Sequence, residues 1–360
     1  MNRSRMHVGS LTAARLAAWA RDRGASPAAA AQLARAVVGR FAGRELAASP
    51  SRRLLEAAER DLGWDVPRTE PVEDPDGTIR HAVRLADGIV VEAVAIPHPA
   101  RTTVCLSAQA GCARGCLFCE TGRLGLQRQL AAHEIVGQFA AVSRHLAAIG
   151  RPAPTNVVFM GMGEPLDNLD AVLAAADVLA EPCGFAVAPR RITVSTVGVV
   201  PRMREFYRRG RYRLAVSLHA ANDEERRALL PVARTWDLAA LRAAIAESPE
   251  PVLVQWTLIE GVNDSDRHAD ELLAFCDGLD VRVNLIPLNP GPEETLRAPP
   301  MERVRAFQKR LRDRGQRALV RMPHGQEVGG ACGQLAGALR GRPKERPSLP
   351  VIGGSPLRTA

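Results

Sequence analysis

The chain has 360 residues, 46% of them hydrophobic, which allows one large α/β domain with a small appendage and a substantial core. No uninterrupted apolar stretch approaches the roughly 18 residues that cross a bilayer, and the Ala-rich start up to Gly24 lacks a secretory apolar segment, so the expectation is a cytoplasmic protein with no membrane partner. The net charge of +9 fits a polyanionic partner, although Lys309 and Lys344 are the only lysines and the Arg abundance also reflects a GC-rich coding bias.

From residue 10 to about residue 60 the pattern is helical, with Ala-rich amphipathic stretches broken near Gly24-Ala25-Ser26-Pro27 and Ala48-Ser49-Pro50. Residues 78–85 and 89–96 alternate in the strand manner around Ala86-Asp87-Gly88, which predicts a hairpin. Short apolar strands then alternate with longer helical patterns. The predicted strands are 103–107, 156–160, 191–196, 213–218, 252–258 and 282–287, and the predicted helices 133–148, 169–179, 200–208, 238–246, 266–276 and 301–314. Repeats of this length imply parallel strands with right-handed crossovers. The expected fold is therefore α/β: a partial (β/α)6 barrel with a small N-terminal helical domain and a β-hairpin extension. The boundaries expected are 1–75 for the helical domain, 76–98 for the hairpin, 99–337 for the barrel core and 338–360 for a disordered basic tail.

Four of the seven cysteines lie within fifteen positions, which argues for metal or redox chemistry in a chain without an export signal. Cys112, Cys116 and Cys119 form a C-x3-C-x2-C unit. Three thiolates can hold three irons of a [4Fe–4S] cube and leave the fourth open, as a catalytic site needs. Zinc completed by a distant His, or chance spacing of buried cysteines, are the competing readings. Cys183 and Cys276 read as plain core or surface thiols.

Further polar positions close the predicted strands, where a (β/α) barrel collects its functional residues. Gly161-Met162-Gly163-Glu164-Pro165 offers glycines for close backbone approach and a carboxylate for an amine, or is merely a tight connection. Ser195, Ser217-Leu218-His219 and Asn289 line a barrel mouth or serve as caps and turns. Cys105 precedes the cluster, and Cys332 lies among glycines, either as an exposed reactive thiol or as a small buried residue.

The stretches CLSAQAGCARGCLFCETG, NVVFMGMGEPLDN, ITVSTVGVVP, AVSLHAANDEERRALLPV, LIEGVND, VNLIPLNPG and GACGQLAG occur in this order. With them the chain resembles the RlmN/Cfr family of radical S-adenosylmethionine (SAM) RNA methyltransferases over roughly residues 92–337. The resemblance implies that Cys112, Cys116 and Cys119 ligate the cluster, and that SAM chelates its open iron. It implies that Gly163, Glu164, Ser195, Ser217, Leu218, His219 and Asn289 hold SAM. Cys332 matches the cysteine that carries the methyl group as S-methylcysteine, Cys105 the one that forms a transient disulfide with it, and Glu92 the proton acceptor. The reaction implied is methylation of an adenine ring carbon, C2 favoured over C8, in ribosomal and/or transfer RNA. An electron donor such as flavodoxin or ferredoxin and a monomeric state complete the expectation. Two departures leave the RNA target open: residues 323–330 read Pro-His-Gly-Gln-Glu-Val-Gly-Gly where ribosomal members usually carry Arg and acidic residues, and the N-terminal helices are thin in aromatic and basic residues. A radical SAM enzyme acting on a protein or small molecule, and a zinc-binding RNA module, stand as alternatives.

Overall fold

Caps and apolar spacing decide the N-terminal helices. In the computed structural model, which describes residues 6–44, 50–289, 296–331 and 333–335, the hydroxyls of Thr12 and Ser26 accept from the N–H groups of Arg15 and Ala29. They thereby start α1 (Ala13–Arg21) and α2 (Pro27–Phe41), the second with proline at its first position. Leu16, Leu33, Val37 and Phe41 are buried between these helices and the rest of the chain, and α3 (Arg52–Asp61) follows.

An antiparallel meander comes next: β1 (Arg68–Glu73), β2 (Ile79–Arg84) and β3 (Val90–His98). The expected hairpin is β2–β3, turning through Asp87 and Gly88, whose φ of +85° suits glycine. The structure adds β1, which the sequence did not announce because Arg-Thr-Glu-Pro-Val-Glu is polar, mostly exposed and carries Pro71. β3 then pairs antiparallel with β4 (Arg101–Cys105), so the meander is continuous with the barrel sheet.

β5 (Gln109–Cys112), α4 (Glu120–Leu124) and β6 (Gly125–Gln129) form a small unit around the cysteine loop. Strand and helix then alternate: α5 (Ala132–Ala148), β7 (Asn156–Phe159), α6 (Leu169–Leu179), β8 (Ile192–Thr196), α7 (Val200–Arg209) and β9 (Arg213–Ser217). The series continues with α8 (Asp223–Leu229), α9 (Leu238–Ala246), β10 (Val252–Leu258), α10 (Asp266–Cys276), β11 (Val281–Pro287), α11 (Met301–Asp313) and β12 (Ala318–Val320). The six expected parallel strands are present within two residues at each end.

Ten strands form one sheet in the order β1-β2-β3-β4-β7-β8-β9-β10-β11-β12, parallel from β4 onward. The barrel is open, since β1 and β12 are edges, and β12 makes a seventh parallel strand too short to be read from periodicity. The register aligns Cys105 with Val158 and Ser217 with Gln255, which brings polar side chains together at the carboxyl ends. No helix among the described residues is long and apolar enough to cross a membrane. The tail expected at 338–360 lies outside the described residues.

Trp256 of β10 and Phe307 of α11 are fully buried, with ring centroids 6.0 Å apart. Phe307→Ala is expected to cost about 3–5 kcal/mol through lost burial and the cavity left behind. Urea denaturation checks this, and a loss below about 1 kcal/mol contradicts the packing described.

Candidate functional site

The cysteine loop begins where β5 ends at Cys112. Gly111, at φ +77°, could not carry a Cβ there, because it would lie 1.9 Å from the Gly125 carbonyl oxygen across the β5–β6 pair. The Arg114 guanidinium binds the Asp167 carboxylate through two nitrogens, one pair at 2.8 Å, and pins the loop onto the turn after β7. Burial pushes the Cys112 thiol up to about 12 and raises Cys116 and Cys119, and nearby negative groups add to the effect. Buried sulfurs of this kind become thiolates when a metal supplies positive charge. Among the described residues, the group of ligating side chains that converges within 4.8 Å is Glu225, His268 and Glu271, not the three cysteines. A single zinc holds each sulfur at about 2.3 Å, so its ligands stand closer together than these thiols do. The spread trio fits the corners of an iron–sulfur cube instead. His268 is ill suited to a metal: its Nδ1 accepts from the Ser265 N–H at 3.1 Å, which leaves the proton on Nε2 facing Glu225. Cys276 is buried and Cys183 half-buried, away from this loop.

The glycines after β7 serve the chain's own packing. A Cβ on Gly161 would meet the Leu106 backbone at 2.8 Å, and one on Gly163 the Gln109 side chain at 2.5 Å. Glu164 is 2% exposed and both its oxygens accept main-chain donors, Oε1 from Leu166 N at 3.0 Å and Oε2 from Val197 N at 2.9 Å. Burial lifts its pKa to about 7, against those donors. Ser195 Oγ donates to the Phe159 carbonyl at 2.7 Å. Leu218 is buried, its N–H bonded to the Gln255 carbonyl. His219, at φ +56°, accepts from Thr257 N through Nδ1 at 2.9 Å, and burial lowers its pKa to about 3. It is therefore neutral, with its ring against Phe118 at 4.8 Å.

Two neighbouring cavities open at the strand ends. The smaller, about 120 Å³, is lined by Ser195, Ser217, His219 and Asn289 together with Phe118 and Gly333. The larger, about 310 Å³, is lined by Cys105, Ile96, His98 and Ala331 among others, and has the size of a small-ligand site. Met160, Gln255, Ile286 and Asn289 belong to both walls. Gly163, Glu164 and Leu218 do not line these two cavities. Glu92, 1% exposed, sits on β3 with its carboxylate 2.6 Å from Arg80 Nη1. The β3–β4 register pairs Val94 with Cys105, so Glu92, two residues along, shares the Cys105 face.

Cys332 lies outside the described residues. The chain on either side of that position is fixed to the site. Asp74 Oδ2 accepts from the N–H groups of Glu327 and Val328 at 2.9 and 3.3 Å, and Asp76 Oδ2 from Gly325 at 3.1 Å. Gln326 Nε2 donates to Asn289 Oδ1 at 3.0 Å. Beyond the position, Glu120 N donates to the Gly333 carbonyl at 2.8 Å, next to Cys119.

Sequence reasoning missed Asp74, Asp76, Arg226 and Gln255. Asp74-Pro75-Asp76-Gly77 reads only as a turn, although it also latches a segment some 250 positions away. Arg226, 1% exposed, donates to the carbonyls of Val197 (2.8 Å) and Leu218 (3.3 Å) and ties the two serine-bearing strand ends together. Gln255 was hidden within an apolar strand, where its polarity was the only signal.

A family model described as the Radical SAM superfamily matches residues 106–273, from the cysteine loop through β10 into α10. A radical SAM methyltransferase structure from Sphaerobacter thermophilus superposes with a TM-score of 0.84 at 38% identity, covering 92% of this chain and 99% of that one. The class defined by fold and site is thus a radical SAM enzyme, which implies a [4Fe–4S] cluster and SAM. A probable RNA methyltransferase of Sorangium cellulosum is 49% identical, covering 86% of this chain and 75% of its own. A dual-specificity RNA methyltransferase RlmN of Syntrophobacter fumaroxidans is 48% identical, covering 72% and 77%. The chain belongs to the RlmN family of radical SAM RNA methyltransferases.

The Asp76 latch is expected to respond to pH. Burial opposes ionisation of Asp76, but donors from Thr78, Gly325 and His324 outweigh it and lower its pKa to about 2. A depressed carboxyl contributes stability above its ordinary value of 3.8 and loses it as pH falls towards about 2. Asp76→Ala is expected to speed amide exchange at Gly325 by about tenfold or more near neutral pH, as for loss of a hydrogen bond to a charged acceptor. Exchange followed by NMR, with wild type also measured from pH 5 to pH 2, checks both statements; unchanged protection contradicts them.

Proposed function

We propose that this protein methylates an adenine ring carbon, C2 in preference to C8, of ribosomal and/or transfer RNA, with the methyl group carried on Cys332. The observation that carries this reading is the pair of cavities. Ala331 lines the one that contains Cys105, and Gly333 lines the one that contains Ser195, Ser217, His219 and Asn289. The residues flanking the carrier position therefore face the second thiol on one side and the cofactor positions on the other.

Cys112, Cys116 and Cys119 hold the cluster, and the matched positions Gly163, Glu164, Ser195, Ser217, Leu218, His219 and Asn289 hold SAM, several by shaping the loops that surround it. When bound, the cluster supplies an electron for reductive cleavage of SAM and so opens hydrogen abstraction from a methyl group. The residues meet a specific chemical difficulty. An amidine carbon of adenine is not a nucleophile, so a cation-like methyl donor has nothing to attack. Cys332, as a thiolate, accepts the methyl by displacement and presents it as a thioether. Joining that carbon to the ring leaves enzyme and RNA covalently linked. Glu92, held beside the Arg80 guanidinium, would take the proton that the ring carbon loses. The Cys105 thiolate would then bond to the carrier sulfur as that sulfur's bond to the transferred carbon breaks, the freed carbon taking a proton to become methyl. The odd electron of the adduct would leave through the disulfide to the cluster, and the external electron donor would reduce the disulfide before the next turnover.

Arg101 and Arg321 rim the larger cavity and make no ion pair among the described residues, which suits RNA phosphates. The N-terminal helices provide a further RNA-binding appendage. A flavodoxin- or ferredoxin-like donor, a monomeric state and a cytoplasmic location complete the proposal.

Two outcomes test it. Cys105→Ala is expected to accumulate RNA covalently attached through Cys332, seen as a shifted band with labelled RNA; absence of any adduct in active conditions contradicts the carrier chemistry. Arg101→Ala and Arg321→Ala are each expected to weaken RNA binding and reduce the slope of log affinity against log salt by about 1. An unchanged slope removes these residues from the RNA interface.

A further inference from the structure

Gln255 is 4% exposed, and neither its Oε1 nor its Nε2 has a hydrogen-bond partner among the described residues. Only its main chain is engaged, the carbonyl accepting from the N–H groups of Leu218 and His219. The side chain stands in the wall shared by the two cavities, beside the apolar Met160 and Ile286. A buried amide left unsatisfied is destabilising, and an apolar residue of the same shape avoids that penalty. The arrangement is that of a group held ready for a ligand edge presenting an acceptor beside a donor.

The adenine substrate proposed above has two such edges, N7 with the 6-amino group and N1 with the 6-amino group, and this inference rests on that reading. Position decides between them. Gln255 lies on β10 and Cys105 on β4, with β7, β8 and β9 between them, so the two residues look across the larger cavity from separated walls. A base held by its N7 edge turns C2, on the opposite side of the six-membered ring, towards the thiol. A base held by its N1 edge turns C8 that way. We infer that Gln255 is the specificity residue of the larger cavity: Nε2 donates to N7, Oε1 accepts from the 6-amino group, and C2 faces Cys105. Glutamine makes this two-bond contact with adenine when proteins read DNA. C8, adjacent to N7, is then turned against the amide and away from the reacting groups.

The test uses reconstituted holoenzyme, and ribosomal and transfer RNA transcribed in vitro with either adenosine or 7-deazaadenosine, which lacks N7 but keeps its pairing edge. Methylated nucleosides are measured by mass spectrometry at pH 8. Wild type is expected to act on the 7-deaza transcripts about tenfold or more slowly, within the range of a good two-bond contact. Gln255→Met is expected to bring the two rates within about twofold. Gln255→Glu, close in shape and hydrogen-bonding only as an acceptor, is expected to reverse the preference, because its carboxylate faces the N7 lone pair. Equal wild-type rates overturn the assignment, as does the wild-type ratio persisting in the Met variant, or in the Glu variant should the Met protein fail to fold. If wild type methylates neither transcript, the adenine reading itself fails, a result distinct from loss of the Gln255 assignment alone.

Discussion

Three cysteine sulfurs and a carboxylate stand close together, Cys112 and Glu164 buried and Cys116 and Cys119 half-buried, and the rest of the site depends on that concentration of potential negative charge. Cys112, Cys116, Cys119 and Glu164 all have raised pKa values because low-dielectric surroundings penalise their charged forms. Among the described residues the nearby cations are each hydrogen-bonded elsewhere, although Arg114 acts electrostatically on Cys112 and Glu164 and Arg226 on Cys116. Arg114 is committed to Asp167, Arg123 to Glu120, and the buried Arg226 to two carbonyls. These pairs instead brace the loop from outside. The cradle is set by protein contacts, and the iron of the cluster proposed for it would complete its electrostatics.

The parallel strands explain why so much of this was legible. A buried parallel strand needs a continuous apolar run, and a polar residue at its end interrupts the run visibly, as at Ser195, Ser217 and Asn289. The cysteine spacing was equally plain. Other features carry their meaning only in three dimensions. Glu164 was read as a carboxylate for an amine or as part of a tight connection; its oxygens accept from two backbone segments, and nothing in Gly-Met-Gly-Glu-Pro foretells the second, at Val197. The glycines beside it, read as approach points for a ligand or as a tight connection, have Leu106 and Gln109 as close protein neighbours, contacts that the local sequence does not reveal. Asp74 and Asp76 were invisible because their partners lie at the far end of the chain. β1 and β12 are short or polar edges, where apolar periodicity fades.

The two cavities are separated by a thin wall, Met160, Gln255, Ile286 and Asn289, and the latched segment touches that wall through Gln326 and Asn289. One polar chain of contacts thus runs from the meander turn at Asp74 and Asp76, through residues 324–328, to Asn289, just past the sixth barrel strand. It links the N-terminal extension to the wall shared by the two cavities without passing through the core.

The unbroken ladder from β2 through β3 to β4 has a consequence of its own. Glu92 and Cys105 are held in step by main-chain pairing, with Val94 opposite Cys105 and the carboxylate about 7 Å further along the strand. Their separation is gauged by peptide geometry, as on a ruler, and owes little to which side chains surround them. Substitutions at neighbouring side chains would therefore leave the spacing of these two groups unchanged as long as the ladder stays paired.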